Sequence, residues 1–184
     1  MSIKTPPEIL QCKTISKSRI FEIEQLHLRF SNGIETQYER LKSSSNGAVL
    51  IVPMLDNNTV LLIREYAAGV QRYELALPKG KVEDGENILD AADREIMEEV
   101  GYASNKLTHL TTLSIAPGYL SHETHIILAE SLYECTEEGD EPEPIDVIPW
   151  KLSELDKLLI EPECTEARSI AALFITRELL QGTR

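Results

Sequence analysis

Three glutamates with helical spacing, Glu95, Glu98 and Glu99, are the residues of this sequence best suited to chemistry. They lie within residues 86–100, a stretch of good helix formers without Pro or Gly, and Gly101 follows where a helix C-cap is expected. At positions i, i+3 and i+4 the three carboxylates share one helical face and should repel one another. Two interpretations fit: a solvated acidic face, or a face whose charge a divalent cation compensates.

The solvated-face interpretation predicts basic residues one helical turn away, and only Arg94 is close. Closely set carboxylate oxygens suit Mg²⁺ or Mn²⁺, whereas a zinc site would require His or Cys. An apolar stripe beside the glutamates would pack this helix on a core, and it consists of Ile88, Leu89, Ala92, Ile96 and Val100. The spacing alone leaves both interpretations open.

The composition indicates a folded protein of single-domain size with a strongly acidic surface. The chain has 184 residues and a formal net charge of −13 at pH 7. Nucleic acids and anionic membranes require a basic surface, so we expect neither as a partner. The sequence has no apolar run near the ~20 residues of a membrane span, no apolar N-terminal signal region, and no C-x-x-C among its three cysteines. We therefore expect a cytoplasmic protein with reduced thiols.

Apolar and polar residues alternate over residues 19–40, and the hairpin signal at 31–33 interrupts them. This pattern predicts an antiparallel β-meander, preceded by an irregular or edge-lying arm at 1–18. A sheet this thin is marginal alone, so we expect it to pack against a second subunit. We accordingly divide the chain into a meander arm, 1–45, and a larger domain, 46–184.

The larger domain has the pattern of a mixed α/β protein. Strands are predicted at 48–53, 59–63, 72–77, 107–115, 124–132 and 145–150. Residues 64–66 are expected to leave the sheet, and residues 136–144 to form an acidic, Pro-rich loop. Further helices are predicted at 151–160 and 165–180. Strands on both sides of a central helix, with helices at the end, predict an α/β fold with a mixed sheet between helices.

The full pattern around the glutamates is far more specific than their spacing. Gly80, Glu86 and the run from Arg94 to Tyr102 resemble the signature box of the Nudix hydrolases, G-x5-E-x7-R-E-U-x-E-E-x-G-U, in which U is bulky and apolar. All seven fixed letters are present, and a chance match is on the order of one in a billion per window. The resemblance implies an α/β/α sandwich that hydrolyses a nucleoside diphosphate linked to another moiety.

This resemblance also implies roles for individual residues. Glu95 and Glu99 would bind Mg²⁺ or Mn²⁺. Glu98 would be a further ligand, or a carboxylate that lies next to the ligands without binding the metal itself. The backbone carbonyl of Lys79 would complete the metal site. Arg94 would serve catalysis by orienting the glutamates through salt bridges.

Beyond the box, Pro117 in A-P-G-Y, sixteen positions after Gly101, resembles the ADP-ribose pyrophosphatase branch of the family. The segments F-S-N-G, V-L-L-I-R-E-Y-A-A-G and E-G-D-E-P-E-P are most similar to bacterial ADP compounds hydrolases. Those enzymes cleave ADP-ribose, diadenosine oligophosphates and NADH and release AMP or ADP. The resemblance spans about residues 10–180 and implies a homodimer.

The resemblance to this branch also implies which residues contact the substrate. Its Y-E-R segment meets substrate, often across a dimer interface, so Tyr38 and Arg40 are candidates, against the alternative of an ordinary surface arginine. Arg64 and Glu74 are further candidates, although Glu65 stands where the branch often has Arg, and Glu74 could equally be a surface carboxylate at a strand end. The remaining candidates, which would line the substrate groove, are Ala116, Pro117, Gly118 and Glu123.

Glu141 and Glu143 match an E-x-E of ADP-ribose pyrophosphatases, in which the first acts as catalytic base and the second as metal ligand. The alternative is a solvated acidic loop, in which Glu138 or Asp140 could equally be the base. We take Glu141 as the base and Glu143 as a ligand. Other functions stay open: a non-catalytic nucleotide sensor, which usually loses box glutamates, and a sugar-nucleotide or isoprenoid-diphosphate pyrophosphatase.

Overall fold

The computed structural model describes residues 4–43 and 46–182. The chain forms two compact units. The first comprises Met1–Ser45 with Ser114–Glu123, and the second comprises Asn46–Leu113 with Thr124–Arg184. Within the described residues, no helix is long and apolar enough to cross a membrane.

The first unit is a three-stranded antiparallel sheet in the order β1-β2-β3. Its strands are β1 (Glu8–Lys17), β2 (Glu22–Arg29) and β3 (Glu35–Lys42). The predicted hairpin between β2 and β3 is confirmed: Gly33 has a positive φ of 80°, and the Phe30 amide donates to the Ile34 carbonyl at 2.9 Å. The first residues of the chain were expected to be irregular or edge-lying, and β1 is indeed an edge strand. Leu41 of β3 donates to the Tyr119 carbonyl, which ties the segment 114–123 to this sheet.

Among its described residues, the second unit contains seven strands in two sheets and three α-helices. Its strands are β4 (Ala48–Pro53), β5 (Thr59–Ala67), β6 (Arg72–Ala76), β7 (Lys79–Lys81), β8 (Tyr102–Ser114), β9 (Glu123–Glu134) and β10 (Asp146–Lys151). One sheet has the order β7-β4-β9-β8 and is mixed, because β4 is parallel to β9 and antiparallel to β7. The other sheet is antiparallel, in the order β10-β5-β6. The helices are α1 (Ile88–Glu99), α2 (Leu155–Leu158) and α3 (Ala167–Gly182).

The central strands are buried on both faces, so alternate side chains enter two separate cores. On β4, Leu50 and Val52 belong to the core that includes residues of α3, whereas Val49 and Ile51 belong to the core that includes residues of α1. The same alternation holds on β5 and β9. Helices therefore cover both faces of the strands, which gives the predicted sandwich.

Two local predictions were wrong. Residues 64–66 do not leave the sheet, because β5 continues to Ala67 with β6 on one side and β10 on the other. The helix predicted at 151–160 is only a 3₁₀ turn, Leu152–Glu154, followed by the single turn of α2. The Leu152 amide donates to the Asn58 carbonyl, and this bond fixes the segment to the β4–β5 turn instead of extending it as a helix.

The core predicts which apolar substitutions destabilise the protein. Ile127 on β9 is fully buried, whereas Ile160 is 80% exposed. Ile127→Ala should lower the free energy of unfolding by about 2–5 kcal/mol, because it removes buried methyl groups and leaves a cavity. Ile160→Ala should change it by less than about 0.5 kcal/mol. Urea titration followed by circular dichroism measures both, and equal losses in the two variants would contradict this assignment of the core.

Candidate active site

Helix α1 presents its glutamates because its ends and its apolar face are fixed. The side chain of Asn87 accepts a hydrogen bond from the Leu89 amide at 2.8 Å and caps the N-terminus. Gly101, with a φ of +79°, supplies the left-handed residue after the last turn. Ala92 and Ile96 are fully buried against β4 and its neighbours. The helix consequently cannot rotate without exposing its apolar face.

The Arg94 guanidinium links three carboxylates of the signature box. It donates to Glu86 at 3.0 and 3.2 Å, to Glu95 at 2.8 Å and to Glu98 at 3.2 Å. A fifth hydrogen bond reaches the Lys81 carbonyl at 3.1 Å. Arg94 therefore has the orienting position that the sequence resemblance implies, with its charge directed at the glutamates.

Glu95 lies directly against the backbone of Gly80. A Cβ atom added to Gly80 would overlap the Glu95 carboxyl group, so any other residue would displace that carboxylate. Glu95 is 8% exposed. Burial raises the pKa of its carboxyl, although the hydrogen bond from Arg94 opposes this change. Glycine is thus required at position 80 by close packing.

Glu99 is the most deeply buried acid of the group. Its Oε2 accepts a hydrogen bond from the Lys79 amide at 2.9 Å, which joins α1 to β7. Burial raises the pKa of this carboxyl to about 8, and the neighbouring charges of Glu95 and Glu65 add to the rise. A carboxylate in this setting gains strongly from a nearby cation.

The three glutamates of α1 line one cavity of about 600 Å³, together with Arg94 and the β7 strand. Its walls are formed by Glu65, Lys79, Gly80, Lys81, Glu83, Arg94, Glu95, Glu98, Glu99, Glu138, Gly139, Asp140 and Glu141. Eight of the thirteen are acidic and three are basic. The structure thus brings together four carboxylates that the sequence singled out, namely Glu95, Glu98, Glu99 and Glu141, with Lys79 and Arg94.

The acidic loop reaches the cavity through its first half only. The Glu137 amide donates to the Met97 carbonyl, and Glu138, Asp140 and Glu141 then line the cavity. Glu143 lies apart from this group. It accepts a hydrogen bond from the Tyr73 hydroxyl at 2.6 Å and lines a neighbouring cavity of about 490 Å³, which also includes Glu98, Glu99 and Glu141.

The donor set fits a hard divalent cation. Across residues 4–43 and 46–182, no three His, Cys, Asp or Glu side chains already stand in the arrangement of a metal site. Arg94 instead binds Glu95 and Glu98 directly. The side chains available in the cavity are nevertheless oxygen donors, which are the ligands of Mg²⁺ and Mn²⁺. Glu95, in its cradle on Gly80, and the buried Glu99 are the residues that could hold such an ion.

Of the predicted substrate residues, Tyr38, Arg40, Ala116–Gly118 and Glu123 belong to the first unit. Arg40 donates to the buried Glu24 at 2.8 Å, and the ring of Tyr38 lies 6.5 Å from that of Phe30.

Arg64 and Glu74 belong to the second unit, but neither lines the cavity. Arg64 pairs with Asp146 and Glu163. Glu74 is buried and accepts hydrogen bonds from Arg72 and Thr165.

The sequence reasoning missed Glu65 and the Lys79 side chain as residues of the cavity. Lys79 Nζ donates to Glu65 Oε2 at 2.8 Å. The predicted strand at 59–63 ends before Glu65. A strand predicted to continue to residue 67 would have included Glu65 near the end of β5. No spacing rule links the two residues, because they lie on different strands.

The buried Glu99 predicts a pH-dependent stability in metal-free protein. Its pKa is about 8 in the folded protein, against an ordinary value of 4.5. The folded state binds this proton more tightly, so the free energy of unfolding should fall as the pH rises from 4.5 to 8. Glu99→Gln should flatten this fall by on the order of 1 kcal/mol per pH unit.

Urea unfolding in EDTA between pH 5 and pH 8 measures this effect. Glu83→Gln is the control, because Glu83 is exposed and lines the same cavity. If the free energy of unfolding depended on pH in the same way in wild type and in Glu99→Gln, the raised pKa of Glu99 would be contradicted.

Comparisons with known proteins place this geometry in a family. Residues 7–40 match the NudE-type Nudix hydrolase N-terminal domain, and residues 45–174 match the NUDIX domain. The ADP compounds hydrolase NudE of Escherichia coli (strain K12) is 46% identical over 176 residues, which cover 96% of this chain and 94% of that protein. The ADP-ribose pyrophosphatase of Bacillus subtilis (strain 168) is 31% identical over 171 residues, covering 89% and 91% of the two chains.

A solved crystal structure of an ADP compounds hydrolase has the same fold, with a TM-score of 0.91 and 44% sequence identity. The match covers 100% of this chain and 98% of that chain, and it confirms the predicted α/β architecture with its N-terminal antiparallel sheet. Nudix hydrolases generally need a divalent metal ion. The matched domain and the close relatives show that this chain belongs to the Nudix hydrolase family and is an enzyme.

Proposed function

We propose that the protein hydrolyses the pyrophosphate bond of ADP-containing nucleotides with Mg²⁺, or Mn²⁺ in its place. The substrates are ADP-ribose, diadenosine oligophosphates and NADH, and the products include AMP or ADP. The observation that carries this proposal is the cavity in which three glutamates of α1 face the β7 backbone and the acidic loop. The names of the relatives, ADP compounds hydrolase and ADP-ribose pyrophosphatase, support the choice of substrate.

Glu95, Glu99 and the Lys79 carbonyl would hold the metal, and Glu98 would be a further ligand. When bound, a divalent ion supplies charge neutralisation at the diphosphate and activation of the attacking water. Arg94 orients Glu95 and Glu98 through the hydrogen bonds it already makes. Glu143, whose Oε1 accepts the hydrogen bond of the Tyr73 hydroxyl, would be a further ligand.

Glu141 would take the proton of the attacking water. It lines the same cavity as the three glutamates of α1, whereas Glu143 does not. General-base catalysis of this kind contributes about 10²–10⁴-fold to rate. Glu138 and Asp140 line the cavity as well, so each is a matched control for the assignment.

In the first unit, Tyr38, Arg40, Ala116–Gly118 and Glu123 would contact the nucleotide. Arg40 would exchange Glu24 for an anionic group of the substrate. Arg64, which pairs with Asp146 and Glu163, and Glu74, which pairs with Arg72 and Thr165, would contact it as well.

We also propose a cytoplasmic homodimer. The three cysteines are free thiols, as in a reducing compartment. The first unit is thin and exposes large apolar side chains, among them Ile9 and Ile34, at 57% and 60%. A three-stranded sheet with exposed apolar residues gains stability from a partner surface.

Light scattering should give a mass twice that of the 20.7 kDa chain. Ile9→Lys should shift the protein toward monomer, because it places a charge within the proposed contact. Ile160→Lys, at an even more exposed position in the second unit, should not. A monomeric wild type at assay concentrations would exclude the dimer.

The test of function is AMP release with Mg²⁺ from ADP-ribose, diadenosine triphosphate, NADH and ADP-glucose, repeated with EDTA. We expect metal-dependent AMP from the first three. Activity on ADP-ribose alone would narrow the enzyme to an ADP-ribose pyrophosphatase, and strong preference for ADP-glucose would indicate a sugar-nucleotide pyrophosphatase. Tight nucleotide binding without turnover would instead indicate a sensor.

Variants test the assigned roles in the same assay. Glu99→Gln should abolish turnover while the fold persists, and Glu141→Gln should lower kcat by about 10²-fold or more with little change in KM. Glu138→Gln should retain most activity. A large kcat loss in Glu138→Gln instead of Glu141→Gln would transfer the role of base to Glu138.

A further inference from the structure

We propose that the Lys79 ammonium is the substrate-binding cation of the cavity and that Glu65 is the partner it releases when a diphosphate binds. This inference rests on the proposed function, and it assigns to the Lys79 side chain a role separate from that of its carbonyl. The Lys79–Glu65 pair would make the site select for anionic ligands strong enough to displace a carboxylate.

Lys79 is placed for this role by backbone bonds that do not involve its side chain. It pairs with Leu50 across β4 and β7, and its amide donates to Glu99 at 2.9 Å. The ammonium extends into the cavity and donates to Glu65 at 2.8 Å. The two side chains are 27% and 39% exposed. The pair is thus fixed at its base, while its charged ends are accessible to solvent.

The other two cations of the cavity are less suited to bind a substrate. Arg94 already makes hydrogen bonds to three carboxylates and to the Lys81 carbonyl. Releasing any of the three carboxylates would leave a partly buried glutamate without its charge partner. Lys81 is 61% exposed and lies 3.6 Å from Glu83, so it is largely solvated. Lys79 combines partial burial with a single ion-pair partner among the described residues.

The energetics favour exchange at Lys79. A partly exposed ion pair contributes little net stability, so separating Lys79 from Glu65 costs little. A phosphate oxygen offers the ammonium a charge-assisted hydrogen bond in return. Glu65 would meanwhile repel the diphosphate unless the Lys79 ammonium lies between them. The rest of the cavity wall adds to this repulsion, because eight of its residues are acidic and three are basic. Lys79 should therefore act mainly on substrate binding.

The first experiment compares Lys79→Met with Lys81→Met, which removes the same charge from the same strand. We expect Lys79→Met to raise KM by about tenfold or more, as for the loss of a charged hydrogen bond, with a smaller change in kcat. Lys81→Met should change KM less than about threefold, and Lys79→Arg should restore most of the affinity. Equal effects of the two Met variants would overturn the proposal.

The second experiment is a double-mutant cycle with Glu65→Gln. This variant should lower KM severalfold when Lys79 is present, because the ammonium is then free, and should have no such effect in the Lys79→Met background. An equal decrease in both backgrounds would show a general field effect and overturn the exchange.

Binding of inorganic pyrophosphate with Mg²⁺, measured by calorimetry, repeats the cycle without turnover. It also separates this inference from the proposed function, and circular dichroism of each variant confirms that it is folded. If wild type hydrolyses no ADP compound, the proposed function fails. If pyrophosphate binding is unchanged in Lys79→Met, the inference fails even though the enzyme is active.

Discussion

The arrangement of the site depends on the Arg94 guanidinium. Three glutamates on one side of α1 would repel one another, and the two most buried, Glu95 and Glu99, have raised pKa values because burial opposes their charge. Arg94 offsets part of this cost by binding Glu86, Glu95 and Glu98 together. The remaining negative charge is what a divalent cation would compensate, so the same ion-pair network would also orient carboxylates toward a metal ion.

The charge of the protein is unevenly divided. The first unit has seven Lys and Arg against six Asp and Glu, whereas the second has eleven against twenty-five. The acidic unit is the one that contains the signature box. An anionic substrate would therefore approach a repulsive field, which a metal ion or cations placed within the cavity would offset. The ammonium of Lys79, as proposed above, would be one such cation.

The fold supplies the rigidity that this network needs. Strands buried on both faces place α1 on one core and α3 on another, so the box helix is held against β4 by close packing. Gly80 on β7 meets Glu95, and the Lys79 amide meets Glu99, at the same edge of the sheet. The acidic loop is joined to α1 by the Glu137 amide. The carboxylates of α1 are thus positioned by side-chain packing on β4 and by the backbone of β7 and of the acidic loop.

The sequence by itself determined the features that depend on interactions between residues close to one another along the chain. Helical spacing predicted the shared face of Glu95, Glu98 and Glu99, and the box resemblance identified the family and implied the ion pairs of Arg94 with the glutamates. Strand alternation found the buried strands and the hairpin at Gly33. These predictions succeeded because periodicity and turn chemistry act over a few residues.

Tertiary structure alone decided which distant side chains meet. Glu65 lies fourteen positions before Lys79, and Glu143 lies seventy after Tyr73, yet each pair is joined by a hydrogen bond. Glu74, a candidate for substrate contact or an ordinary carboxylate at a strand end, is buried and hydrogen-bonded to Arg72 and Thr165. Such partners depend on how strands and loops pack, and no local pattern in one sequence encodes that packing.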